Sequence, residues 1–388
     1  MPEDRTLILV LGMHRSGTSV LTRVLNLLGA DVGRHLLQAQ SDVNDRGFWE
    51  HEELVAINEA LLCVLERSWY DFRPLPPRWC SGDQVSALMT RAVSFLETAF
   101  AGASLAAAKD PRLCLLLPFW KEAARLAGWR PVAVLATRAP EEVAASLCRR
   151  DPIGRAGARL LWLRYTRDSE EASRDLPRCR VDYASLLKDW KTALAGTQEA
   201  LGVTWPQTME AATEAVAAEI DPGLRHQHTA SAEPAAGLER LASQAYRLLL
   251  SETLDRAALD RVWREYDALL EDCPALVSGL VEADGRLFAI NNDLQSLGKE
   301  HQQALAVVAD KDRQLEKLAG ELEYAVSVVG ERDEQLKYAQ GVVEERDAQL
   351  QRLAGELEYA VSVVEKRDAQ LNHPAVRLVR KLLFLDKE

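Results

Sequence analysis

The period of the hydrophobic pattern changes along the chain, and each change marks an element. Residues 7–11 form an uninterrupted apolar run that ends at Gly12, as is typical of a strand buried on both faces of a parallel sheet. From Leu21 to Leu28 the apolar residues follow helical spacing, and Gly29 stands where a left-handed helix cap would fall. The first unit is therefore predicted to be a strand, a tight loop and a helix.

Later segments repeat this alternation. Helical spacing is found over residues 54–65 and 84–100, and short apolar runs that predict strands cover residues 104–108, 132–136 and about 179–183. After the strand at 132–136, Pro140 begins a helix whose first turn carries Glu141 and Glu142. Strands that alternate with helices predict an α/β fold in which helices flank a parallel sheet.

The pattern is helical from residue 233 onward, and no proline occurs between Pro274 and Pro374. The sequence LAGELEYAVSVV occurs at 318–329 and again at 353–364, an offset of 35 residues or five heptads. Apolar residues step by seven without a break, at Val308, Leu315, Leu322, Val329, Leu336, Val343, Leu350, Leu357, Val364 and Leu371. This repeat predicts a coiled coil, but arginines interrupt its second seam and leave the number of strands open.

Composition and charge narrow the classes of function. The net charge of −12 argues against a protein that coats nucleic acid. Residues 301–371 hold 15 acidic and 9 basic side chains, so half of that charge lies outside the α/β domain. The six cysteines are scattered without zinc-ligand spacing, and no metal is expected. No apolar run reaches the roughly 20 residues that cross a bilayer, and the N-terminus leaves no room for a signal peptide, so we expect a cytoplasmic protein.

The loop after the first strand, Gly12-Met-His-Arg-Ser-Gly-Thr-Ser, has the glycine spacing of a phosphate-binding P-loop. Thr18 stands where a nucleotide triphosphatase has its lysine. The amides of residues 15–19, with the hydroxyls of Thr18 and Ser19, can still hold a phosphate at the positive end of a helix. Arg15 supplies a cation that can grip an anion with two hydrogen bonds. The loop therefore suits a shorter anion than a triphosphate.

Other polar residues follow the predicted strands. Residues 109–112, Lys-Asp-Pro-Arg, come after the second strand, and Arg138 follows the third. The carboxyl ends of parallel strands meet at one edge of a sheet, so these residues are predicted to line the same crevice as the P-loop. The loop at 41–51 combines Asn-Asp-Arg-Gly with Phe-Trp-Glu-His. It is either a plain connector or, because exposed aromatic residues are costly, a segment with a function.

The predicted organisation has four parts. A domain with a P-loop-type parallel sheet flanked by helices covers 1–230, a helical extension covers 231–300, and a long α-helical coiled coil covers 301–371. A basic and apolar tail covers 372–388, and it either contacts an anionic membrane face, docks on the protein or continues as a linker.

These motifs resemble those of sulfotransferases that use 3′-phosphoadenosine 5′-phosphosulfate (PAPS), most of all the bacterial and tyrosylprotein-type branches with Arg-Ser-Gly-Thr. The resemblance covers residues 6 to about 230. It implies that Lys109 stabilises the transferring sulfuryl group and that Glu50 belongs to a segment over the active site. It also implies a nucleotide site formed by His14, Arg15, Ser16, Gly17, Thr18 and Ser19 around the 5′-phosphosulfate, Arg138 and Ser146 at the 3′-phosphate, and Tyr183 near the nucleotide.

Three side chains compete for the role of general base, Glu50, His51 and Asp110. Asp110 is expected to pair with a neighbouring cation, which lowers its basicity. His51 has the better intrinsic pKa. Glu50 follows Phe48 and Trp49, whose apolar surroundings would raise the pKa of a carboxylate towards the working pH. We favour Glu50 as the base, with Lys109 as its partner and Arg15 on the leaving phosphate.

The resulting prediction is a metal-independent sulfotransferase that acts on a hydroxyl or amine, and by analogy on a carbohydrate of the cell envelope. One alternative is a P-loop kinase, against which Thr18 argues because such an enzyme needs the loop lysine. Another is a tethering protein whose coiled coil binds a partner or a second copy while its front domain only binds nucleotide. The presence of Lys109 together with Arg15, Arg138 and Ser146 favours catalysis.

Overall fold

The computed structural model describes residues 5–38, 47–220, 237–343 and 347–371. The chain divides into two compact units, Met1–Leu294 and Gln295–Glu388. The strands of the first unit are β1 (Thr6–Leu11), β2 (Leu105–Lys109), β3 (Arg130–Thr137) and β4 (Arg178–Asp182). The helices are α1 (Thr18–Leu27), α2 (Glu52–Val64), α3 (Asp83–Ala99), α4 (Leu113–Leu126), α5 (Pro140–Arg150), α6 (Arg155–Ala172), α7 (Tyr183–Lys188), α8 (Trp190–Ala193), α9 (Thr197–Leu201), α10 (Thr213–Glu219), α11 (Gly237–Leu250), α12 (Arg256–Asp272), α13 (Pro274–Val343) and α14 (Asp347–Leu371).

The four strands form one parallel sheet in the order β2-β1-β3-β4. Every residue of the central strand β1 is buried, which explains why its sequence reads as a continuous apolar run. Near the carboxyl edge, Val10 is in register with Lys109 on one side and Val134 on the other. The predicted α/β fold with a parallel sheet flanked by helices is confirmed, and a long C-terminal helix follows it. The association of this helix into a coiled coil stays a prediction.

The core lies on both faces of the sheet. Leu7, Leu9 and Leu11 join one apolar cluster with the buried side chains of α2, α4 and α6. Ile8 and Val10 point to the other face, where they join the apolar residues of α1. Alternate residues of β1 thus hold the two helical layers, and they fix the loop between β1 and α1 at the carboxyl edge.

Helices α11 and α12, which follow residue 236, belong to the same core. Buried residues of α11 and α12, among them Leu241, Trp263 and Tyr266, pack in the cluster that covers Leu7 and Leu9. The predicted domain boundary at residue 230 falls within residues 221–236, which lie outside the described residues. The compact first unit continues beyond them to Leu294.

The second unit consists of helix in its described parts, from the later turns of α13 to the end of α14. Apolar residues of the predicted heptads are exposed there, including Val308, Val329, Leu357 and Val364. Among the described residues, no helix combines the length and the hydropathy needed to cross a bilayer. The predicted basic tail at 372–388 lies outside the described residues.

Candidate active site

The P-loop connects the end of β1 to the start of α1 at Thr18. Gly17 has a φ of 84°, and a Cβ atom there would lie 2.1 Å from Cδ2 of Tyr183, so only glycine fits. Arg15 has a φ of 67°, a left-handed conformation that is uncommon for a residue with a side chain. The amide of Gly12 donates to the Cys114 Sγ atom at 3.0 Å. These contacts hold the loop against α4 and α7.

The first turn of α1 is the place where the sequence predicts that an anion binds. Amide groups in the first turn of a helix have no carbonyl partner within the helix, and they point towards the loop. Thr18 is buried at this point. The hydroxyl of Ser19 donates to the Phe48 carbonyl at 3.2 Å, which ties the loop before α2 to the P-loop.

Arg15, Arg138 and Ser146 come together although they are far apart in the sequence. The Arg15 Nε atom donates to the Ser146 hydroxyl at 2.9 Å, and Arg138 Nη1 donates to the Arg15 carbonyl at 3.0 Å. The Arg138 guanidinium lies 4.4 Å from the ring centroid of Tyr183. The predicted 3′-phosphate residues and the predicted tyrosine thus form one cluster beside the loop.

Sequence reasoning missed the carboxylate that orients Arg138. Glu142 is buried and accepts from Arg138 Nε at 3.0 Å, four residues along the start of α5. The Glu at this helical spacing from an arginine was a usable signal, since residues i and i+4 face each other. Arg138 is thereby held at the end of β3 with part of its guanidinium committed to Glu142.

Lys109 lies at the carboxyl end of β2 and contacts the predicted base directly. Its Nζ atom is 2.5 Å from Glu50 Oε1 and donates to the Phe48 carbonyl. Both side chains are buried, Lys109 with 3% exposure and Glu50 with 8%. Burial raises the pKa of Glu50 above its ordinary value, although the Lys109 charge opposes that shift.

The other two candidate bases have structural partners. Asp110 is fully buried and accepts hydrogen bonds from Asn58 Nδ2 at 3.0 Å and Arg112 Nη1 at 2.7 Å, the cation pairing that was expected. His51 caps α2, because its Nδ1 atom accepts from the Glu53 amide at 3.2 Å. Burial lowers the pKa of His51. Their contacts stabilise the start of α2 and the end of β2.

His14 has surroundings that its sequence position did not suggest. Its ring packs 4.6 Å from the Trp69 ring and 5.8 Å from that of Tyr165. Its Nε2 atom is buried and has no hydrogen-bond partner among the described residues. Burial, followed by the charges of Arg150, Arg112 and other cations, holds the pKa of His14 well below its usual range. The imidazole is therefore neutral near pH 7.

The field in this crevice is positive. Burial lowers the pKa of Arg15, and the charges of Arg150 and Arg138 add to that shift. Lys109 and Arg138 are neutralised one to one by Glu50 and Glu142, while His14 remains neutral. An anion next to Arg15 would relieve the repulsion among these cations. Among the described residues, no group of three or more His, Cys, Asp or Glu side chains is arranged to hold a metal ion.

Comparisons with known proteins give distant structural likenesses. No family model matches the chain, and no curated protein does. A sulfotransferase domain from the Synechococcus PCC 7002 olefin synthase is 16% identical, covers 69% of this chain and 97% of its own, and has a TM-score of 0.35. A sulfotransferase domain from the curacin biosynthetic pathway is 15% identical, with 68% and 97% coverage and a TM-score of 0.31.

The sulfotransferase STF9 from Mycobacterium avium is 16% identical, covers 70% of this chain and 77% of its own, and has a TM-score of 0.34. Likenesses of this size do not decide an activity. The functional argument therefore rests on the side chains of the crevice.

Proposed function

We propose that this protein is a sulfotransferase that moves the sulfuryl group of PAPS to an acceptor hydroxyl or amine. The observation that supports this most is the contact of Lys109 with Glu50, in the same crevice as the cluster of Arg15, Arg138 and Ser146. A cation for the sulfuryl oxygens and a carboxylate for the acceptor proton are the two groups that the reaction needs.

PAPS carries anionic groups at both ends of its ribose, and the crevice offers partners for each. The loop amides, the hydroxyls of Ser16, Thr18 and Ser19, and Arg15 would bind the 5′-phosphosulfate. Arg138 and Ser146 would bind the 3′-phosphate. The Tyr183 ring beneath Arg138 supports the orientation of this arginine.

In the reaction, the acceptor oxygen or nitrogen forms a bond to sulfur as the bond between sulfur and the bridging phosphate oxygen breaks. Adenosine 3′,5′-bisphosphate leaves with its 5′-phosphate held by Arg15 and the loop. Lys109 offsets charge on the sulfuryl oxygens. Glu50 accepts the acceptor proton, and its raised pKa makes it a better base than an exposed glutamate.

We also propose that the acceptor is a carbohydrate of the cell envelope. Trp69 lies half-buried beside His14. The neighbouring Tyr70 ring stacks on Phe288 at 4.2 Å. Aromatic rings that are partly exposed beside a polar crevice suit the amphipathic faces of sugars. The cytoplasmic location and the association of copies or partner proteins through the heptads also remain proposals.

Calorimetry with adenosine 3′,5′-bisphosphate, ADP and ATP tests the nucleotide. We expect the bisphosphate to bind far more tightly than ADP, because only it presents a phosphate to Arg138 and Ser146. Equal affinity for ADP contradicts PAPS as the co-substrate. Preferential binding of ATP would instead favour the kinase alternative, despite threonine at position 18.

A further inference from the structure

A second basic region lies at the opposite end of β4 from the crevice. It is a groove of about 320 Å³ whose lining includes Arg174, Arg178, Arg180 and Arg256 together with Leu176 and Leu254. β4 is an edge strand, and Arg178 is its first residue, whereas Tyr183 follows its last. The groove is therefore distinct from the nucleotide crevice at the carboxyl edge.

The cations of this groove outnumber their carboxylate partners. Arg174 and Arg178 bind the fully buried Glu170 at 2.7 Å and 3.0 Å, and Arg174 also binds Asp260. Within the described parts of the chain, Arg256 makes no ion pair or hydrogen bond. Among the described residues, the other three arginines of the groove form ion pairs only with Glu170 and Asp260. Four guanidinium groups thus share two carboxylates.

Arg180 shows where the missing negative charge belongs. Its Nη2 atom is 3.6 Å from Glu170 Oε1, which is too long for a hydrogen bond. Its Nε and Nη2 atoms are buried without a hydrogen-bond partner among the described residues. Burial and the charges of Arg178, Arg256 and Arg174 lower the pKa of Arg180, as in a site that lacks an anion. Arg180 is therefore short of negative charge, and the exposed Arg256 in the same lining has no carboxylate partner among the described residues, so an anion in the groove would offset both charges.

The size and lining of the groove indicate the class of ligand. Arg180 also borders a cavity of about 20 Å³ below the P-loop, which has room for about one water molecule. The larger groove has the volume of a small-molecule site, and its leucines offer apolar contact. We propose that this groove binds a phosphate or sulfate monoester, with the tetrahedral anion on Arg180 and Arg256 and the organic group against Leu176 and Leu254. The proposal does not depend on the sulfotransferase activity.

Titration calorimetry of the full chain with phenyl phosphate and phenyl sulfate tests the site. Adenosine 3′,5′-bisphosphate is left out, because it is itself a phosphate monoester and would compete for the groove; the variants below separate the groove from the nucleotide crevice. We expect saturable binding of the esters and weaker binding of inorganic phosphate and sulfate, which lack the organic group. The tighter of the two esters identifies the natural anion as a phosphate or a sulfate.

Arg256→Gln and Arg180→Gln should each weaken ester binding by roughly tenfold, because each removes a charge-assisted contact. Arg261→Gln changes an exposed arginine of the same helix outside the groove, and it should leave binding unchanged. Arg256 is exposed, so its variant is expected to fold even if Arg180→Gln is unstable. The proposal is overturned if neither ester binds, if inorganic ions bind as tightly as the esters, or if Arg256→Gln and Arg261→Gln bind alike.

Discussion

The sheet unit and the C-terminal helical unit use apolar residues in opposite ways. β1 buries every side chain between two helical layers of its own chain. In the second unit, heptad residues such as Val329 and Leu357 keep 43% and 45% of their surface exposed. The first unit buries its apolar residues within one chain, whereas the second leaves its described heptad residues exposed, as the predicted coiled coil would require. We therefore expect chemistry to depend on the first unit and association on the second.

The largest expected effect is on turnover, and it tests whether the chemistry depends on the first unit. Glu50→Gln should lower turnover by roughly 10²-fold or more, because the amide cannot accept the acceptor proton. Nucleotide affinity should remain, since Gln keeps an oxygen for Lys109. Steady-state kinetics with PAPS and calorimetry give the two values.

Glu53→Gln is a matched control in the same region, because Glu53 pairs with Arg91 on the surface. It should have little effect on turnover. If His51→Ala abolished turnover while Glu50→Gln did not, the base would be the histidine.

The next effect concerns the 3′-phosphate. Arg138→Ala should cost about 1.5–3 kcal/mol of binding free energy for adenosine 3′,5′-bisphosphate, the value of a charge-assisted hydrogen bond. The affinity for ADP should change little, so most of the preference disappears. A thermal unfolding measurement is the control, because the variant also leaves the buried Glu142 without its arginine. If a folded variant kept the full preference for adenosine 3′,5′-bisphosphate over ADP, Arg138 would not be a ligand of the 3′-phosphate.

The effect of pH on kcat/KM should be smaller than the effects of these substitutions, at most a tenfold change per pH unit. Protonated Glu50 cannot act as a base, so kcat/KM falls as the pH drops through its pKa. Because burial raises that pKa, the acid limb should have its midpoint above 4.5, the ordinary value of a glutamate. Glu50→Gln should abolish the limb. If kcat/KM of this variant still fell at low pH, the titration of another group would be responsible for the fall.

The smallest effect is expected from removing the helix. A chain that ends at Gly298 keeps the whole first unit, and its nucleotide affinity should stay within about twofold of the full chain, since all the residues of the proposed nucleotide site belong to that unit. Its assembly should be smaller by light scattering. If the size of the assembly did not change, the first unit would carry the self-association, and the expected separation of chemistry and association between the two units would be wrong.

Local patterns predicted the elements well. The helices at 54–65 and 84–100 and the strands at 104–108 and 132–136 match α2, α3, β2 and β3 within two residues at each end. These elements follow from periodicity that a short window contains. The carboxyl-edge crevice followed from the parallel order of the strands.

The periodicity of a short stretch of sequence does not predict contacts between residues that are far apart in the chain. The bond of Arg15 to Ser146 spans 131 residues, and Lys109 meets Glu50 from 59 residues away. The pairing of Glu50 with Lys109 was predicted with the help of the resemblance, whereas the bond of Arg15 to Ser146 was not. The packing of His14 on Trp69 had no sequence signal, because it depends on how the loop after α2 returns to the P-loop. Helices α11 and α12 pack on the core for the same kind of tertiary reason.

The ion pair of Lys109 and Glu50 also has a consequence for the order of events. The lysine occupies the carboxylate of the proposed base. A bound sulfuryl group would compete for the lysine and release the carboxylate. If the proposed function is right, the base would become available only after the donor binds, and we expect PAPS to bind before the acceptor. An unreactive analogue of the acceptor that inhibits competitively with the acceptor and uncompetitively with PAPS would show this ordered sequence.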